Sequence, residues 1–97
     1  RYLHRPIMAA LVAAVADDGV LLYETFAQGN EAFGKPSNPD FLLRENELLD
    51  RVSPGLRIVA FEQGREAGGE RGRVVQRIAA VGRSRAWPPL LAGGPAP

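Results

Sequence analysis

Apolar positions recur at helical spacing through residues 5–16, where Ile7, Leu11, Val12 and Val15 put one apolar face on a predicted helix. Pro6 suits its first turn, since a helix leaves that N–H unbonded anyway. Asp17-Asp18-Gly19 stops it, with glycine able to make the sharp exit. Val20 to Tyr23 then runs without a polar break, the pattern of a central parallel strand covered on both faces. From Ala27 to Phe41 the periodicity vanishes into turn formers, including Gly29, Asn30, Gly34, Pro36 and Pro39. A second helix is predicted over residues 44–52, with Leu48, Leu49 and Val52 on one side and Glu45 and Glu47 early, where the helix dipole favours acids. Ile58, Val59 and Phe61 mark a strand over 56–62. The glycine-rich stretch from Gly64 to Gly72 reverses the chain into an antiparallel strand over 73–82. With a strand over 19–25, these elements make an α/β domain over residues 1–82, followed by a Pro/Gly-rich tail over 83–97 that is expected to be disordered, with Trp87 docked at most.

Composition narrows the chemistry. The chain has 97 residues and no cysteine, which excludes disulfides, thiolate metal sites and a cysteine nucleophile. Its longest apolar run, around residues 7–16, is too short to cross a membrane as a helix, and a cytoplasmic setting is expected. Residues 1–50 carry four basic and eight acidic side chains, and residues 51–97 eight basic and three acidic, so the formal net charge of +1 hides halves of −4 and +5. Arg73 and Arg77 share one predicted strand face with Val75 and Ala79. That face is not cleanly basic and carries no aromatics for stacking bases, so nucleic acid is not the expected partner.

The order helix, strand, long loop, short helix, strand, hairpin, antiparallel strand resembles the C-terminal half of a class I S-adenosylmethionine-dependent methyltransferase. Local phrases carry the resemblance. Tyr2-Leu3-His4-Arg5-Pro6 looks like the segment after the fourth strand of small bacterial members, and Asp18 to Phe26 like the fifth strand. Asn38 to Leu43 with Glu47-Leu48-Leu49 looks like the approach to the sixth, and tellurite-resistance-type members are the most similar subset. The resemblance implies a Rossmann-like sheet, methyl transfer to a small-molecule acceptor, and S-adenosylmethionine as cofactor. The family grips that cofactor with a glycine-rich turn after its first strand and an acid after its second, and neither is present. Gly29…Gly34 and Gly64…Gly69 stand in the wrong context. The expectation is therefore a substrate-side half, inactive alone, whose N-terminal half lies before Arg1.

In an open α/β sheet, ligands bind outside the carboxyl ends of the strands. That rule selects Glu24, Thr25 and Phe26. Glu24 and His4, the only histidine, are the candidate proton-transfer residues, with Tyr2, Thr25, Phe26 and Asn30 as substrate contacts. A carboxylate at a buried strand end needs a partner, and Arg5 is one candidate. Asn30, Phe33 and Lys35 lie in the long loop, which could serve as a lid. One histidine without a spaced companion gives no metal chelate. The rival reading is a non-enzymatic α/β interaction module that forms homodimers through an exposed sheet edge, because unpaired edges invite pairing.

Overall fold

The computed structural model describes residues 5–67 and 72–88. Three strands, β1 (Val20–Phe26), β2 (Arg57–Glu66) and β3 (Arg73–Val81), form an antiparallel sheet in the order β1-β3-β2. Helices α1 (Arg5–Ala14) and α2 (Glu47–Val52) cover one face of it. β3 runs against both neighbours, so β1 and β2 point the same way and their connection crosses over β3, carrying α2 with it. The hairpin between β2 and β3 is the one that the glycines predict.

Along β3, alternate side chains face the helices. Ile78 stands at the centre of that face, opposite Tyr23 on one side and Phe61 on the other. Met8, Leu43, Leu48, Val52, Leu56, Ile78 and Ala80 form the core, with Val12, Val15, Leu21 and Ile58 packed against it. A bulge between Ile58 and Ala60 keeps β2 in step with β3.

The segment just after β3 is bound tightly to the turn before β1. The Gly82 N–H donates to Gly19 O at 2.9 Å and the Ser84 N–H to Asp17 O at 2.9 Å. A Cβ on Gly82 would lie 2.1 Å from Asp17 O, so only glycine permits the approach. Of the predicted tail, residues 83–88 are held: Arg83 donates to Ser53 O and Pro54 O, Arg85 to Asp18 O, and the Arg57 guanidinium lies over the Trp87 ring. The remainder of the tail lies outside the described residues.

Two sequence expectations need correction. β1 is not a central strand covered on both faces but an edge strand with one covered face. Leu21, Tyr23 and Thr25 lie under the helices, while Leu22 is 76% exposed and Val20 51% exposed on the other side. Its only strand partner among the described residues is the antiparallel β3. The apolar face of α1 is also rotated from the one predicted. Met8, Val12 and Val15 pack inward, whereas Ile7 and Leu11 remain exposed. The sequence offers two adjacent apolar stripes, and the position of α2 decides which is buried.

Candidate functional site

The carboxyl end of β1 carries two different chemistries, because alternation sends neighbouring side chains to opposite faces. Thr25 points into the covered face and is buried, with its hydroxyl unpartnered among the described residues. Glu24 and Phe26 lie on the open face. The three residues taken together from the sequence therefore do not form one cluster.

Glu24 does not pair with Arg5. It stands in a ladder of charges across the open face, opposite Arg77, which in turn lies opposite Glu62. The Arg77 Nε is 3.5 Å from Glu24 Oε2, and an Arg73 terminal nitrogen is 3.8 Å from Glu24 Oε1. Arg77 also bonds Glu62 at 3.2 Å and Glu66, and Arg73 bonds Glu66 at 2.5 Å. Hydrogen bonds from Arg77 and Arg73 hold the Glu66 carboxyl below its ordinary range. Beside this ladder is an open cavity of about 350 Å³ whose floor includes Leu22, Ala60 and Ala79. Its walls combine an apolar half with a charged half.

Arg5 serves the opposite face. Its guanidinium donates to both oxygens of Glu47 at 2.8 and 3.0 Å, to Asp40 O at 2.8 Å and to Leu42 O at 2.9 Å. Glu47 is 3% exposed and also accepts from Arg51 Nε at 2.7 Å and from the Arg44 N–H at 2.9 Å. Burial alone would raise the Glu47 pKa, but these donors outweigh it and bring it from an ordinary 4.5 to about 2. Arg44 at i−3 and Arg51 at i+4 are near Glu47 in the sequence. Arg5, forty-two residues away, is not. Gln76 is a second polar anchor that the sequence does not announce: fully buried on β3, it accepts from the Leu48 N–H at 3.1 Å and donates to Arg44 O at 2.6 Å.

Asn30 is buried and both ends of its amide are engaged, donating to Pro36 O at 3.1 Å and accepting from the Val74 N–H at 3.0 Å. It ties the long connection to β3 and presents no amide group to a ligand. Tyr2 and His4 lie outside the described residues.

Protein-family models, curated proteins and solved structures contain no match to this chain. The geometry at the end of β1 is therefore argued from its own residues. No group of three or more His, Asp or Glu side chains suited to a metal ion occurs among the described residues. No helix among them is long and apolar enough to cross a membrane.

Proposed function

We propose that this domain is the acceptor-side part of a class I S-adenosylmethionine-dependent methyltransferase acting on a small molecule. The observation that supports this reading most is the relation of β1 to β2. A plain antiparallel meander would place β2 in the middle of the sheet. Here β1 and β2 run in the same direction with the reversed β3 between them, and a helix-bearing crossover links them. A helix-bearing crossover between co-directional strands is a feature this reading needs, and in open α/β sheets ligands lie at the carboxyl ends of such strands.

The described residues do not fit the cofactor itself. Gly29 leads into a single 3-10 turn (Asn30–Ala32), Gly64 lies within β2 and Gly72 precedes β3, so no glycine-rich turn joins a strand to a helix. In this reading the cofactor is held by elements outside these residues. What this chain supplies is the acceptor side. Glu24, set between Arg73 and Arg77, would take the proton that an O–H or N–H acceptor releases, and Phe26 would form a wall beside it. Holding the acceptor against the methyl donor contributes about 7–11 kcal/mol in well-oriented systems, so positioning carries most of the demand.

The test is calorimetric titration with S-adenosylhomocysteine. The 97-residue chain should show no binding, and the product of the reading frame extended upstream of Arg1 should bind in the micromolar range. An extended product that fails to bind, or a reading frame without a strand and glycine-rich turn upstream, refutes the family assignment. Micromolar binding by the 97-residue chain refutes the division of labour.

A further inference from the structure

The register of the sheet arranges its open face in rows. Leu22, Ala79 and Ala60 stand side by side in one row, and Glu24, Arg77 and Glu62 in the next. Neighbouring strands lie about 4.8 Å apart, so each row is about 10 Å across, and successive rows are about 7 Å apart. Two short alanine side chains beside the long charged ones leave the open cavity of about 350 Å³. Leu22 bounds its floor at the β1 edge, and Glu62 stands at the β2 edge.

The charged row favours one sign of ligand. All three nitrogens of the Arg77 guanidinium already face carboxylates: Nε lies 3.5 Å from Glu24, one terminal nitrogen 3.2 Å from Glu62, and the other bonds Glu66. Arg73, one row further on, pairs with Glu66. Arg57 shares this face, opposite Val81, but it lies over the Trp87 ring and does not line the cavity. An anion entering here therefore meets guanidinium groups that are already engaged. Glu62 is the opposite case. Its side chain is 70% exposed, and among the described residues only its Oε1 accepts a hydrogen bond, from Arg77. The two carboxylates and one guanidinium that line the cavity leave it a formal charge of −1.

We infer that this cavity binds a small amphipathic amine, its ammonium on Glu62 and its apolar chain laid across Ala60 and Ala79 towards Leu22. Charge complementarity selects the cation, and the width of the row selects a chain about 10 Å long. At so exposed a carboxylate the ammonium keeps much of its water, so the ion pair selects the sign of charge more than it adds affinity. The inference names the ligand class of the site that the proposed function takes as the acceptor side. That such an amine is methylated rests on that reading; that it binds rests on the cavity alone.

The probe is hexylammonium chloride, titrated into the isotopically labelled 97-residue chain and followed by NMR, with hexanol and hexanoate as controls. Saturable shifts are expected at the amides and methyls of Leu22, Ala60 and Ala79. The dissociation constant should be about 1 mM, ordinary for a ligand of about seven non-hydrogen atoms. Hexanol should bind about threefold to fivefold more weakly at the same residues, and hexanoate more weakly still. Glu62→Gln should abolish the preference for hexylammonium over hexanol, whereas Leu22→Ser should weaken both alike. Both positions are exposed, so both variants should fold. The absence of saturable shifts at about ten times that concentration would overturn the proposal, as would equal binding of hexanoate or a preference that survives Glu62→Gln. So would a homodimer by light scattering that Leu22→Ser dissolves, or a deletion of residues 89–97 that raises the affinity more than about tenfold. In those two cases the floor belongs to a second copy or to the chain's own tail. The S-adenosylhomocysteine titration is read separately. Hexylammonium binding by the 97-residue chain, with no S-adenosylhomocysteine binding by the extended product, keeps the amine site and removes the transferase reading; the converse result removes only the amine.

Discussion

Replacing Glu47 with glutamine keeps the shape of the side chain and removes its charge, so the variant isolates what the buried carboxylate contributes. In the native fold the carboxyl pKa is about 2 rather than the ordinary 4.5. At 1.36 kcal/mol per pKa unit, that difference makes roughly 3 kcal/mol of stability conditional on ionisation. The sign follows from the direction of the shift. A depressed carboxylate contributes fully above its unfolded value and loses the contribution as pH falls towards about 2. Roughly 2 kcal/mol of it should be gone by pH 3. Glu47→Gln at pH 7 also leaves Arg5 and Arg51 without their counter-charge, but their side chains are 24% and 33% exposed, so the loss should stay near the roughly 3 kcal/mol that ionisation carries. For a domain of this size, 3 kcal/mol lowers the melting temperature by about 12–24 °C. The assay is urea denaturation of both proteins at pH 7, 5 and 3, and the quantity read is the gap between them. Other carboxylates titrate in both proteins and cancel in that gap, which should narrow by about 2 kcal/mol between pH 5 and pH 3. A gap that stays constant would show that ionisation of Glu47 contributes nothing to stability between these pH values, and the electrostatic account of the α1–α2 junction would fail.

Three further outcomes follow from the packing. Gly82→Ala should fail to fold, as read by a collapsed amide NMR spectrum, because its Cβ would press on the backbone oxygens of Asp17 and Ala16. Asn30→Ala removes two hydrogen bonds and leaves the Val74 N–H unsatisfied; urea melts should show a loss of about 2–3 kcal/mol. Leu43→Ala, at a fully buried site, should cost about 2–5 kcal/mol, whereas Leu22→Lys, on the open face, should change stability by no more than about 0.5 kcal/mol in the same melts.

How far the fold is legible in the sequence depends on the range of the interaction that decides each feature. The hairpin from Gly64 to Gly72, the stop at Asp17-Asp18-Gly19 and the strand cores are settled by neighbours, and pattern reading finds them. Element ends move by one to four residues: α1 closes at Ala14 and α2 opens at Glu47. Strand order is another matter. That β3 inserts between β1 and β2, leaving β1 at the rim, is a non-local choice that no local pattern encodes. The same limit hides the partners of Arg5 and Gln76. Thr25 is different: strand alternation alone separates it from Glu24 and Phe26, because neighbouring side chains point to opposite faces.

The long connection from Ala27 to Leu43 looks in sequence like a lid, and its contacts pin it chiefly at its two ends. Asn30 fixes its start to β3 by accepting from the Val74 N–H, and donates to Pro36 O within the connection itself. The Arg65 guanidinium lies 4.7 Å from the centre of the Phe33 ring and holds the middle. Its end is fixed three times over, by Arg5 on Asp40 O and Leu42 O, by the Leu43 bridge to Ala27, and by the burial of Leu42 and Leu43. Burial is confined to those ends, at Ala27, Asn30, Leu42 and Leu43, while residues 31–41 are exposed or half-buried. The polar anchors Glu47 and Gln76 brace the adjoining α2 start and β3 from the covered side. The backbone at the carboxyl end of β1 is thus braced from the covered side, which would serve the proposed placement of Glu24 and Phe26.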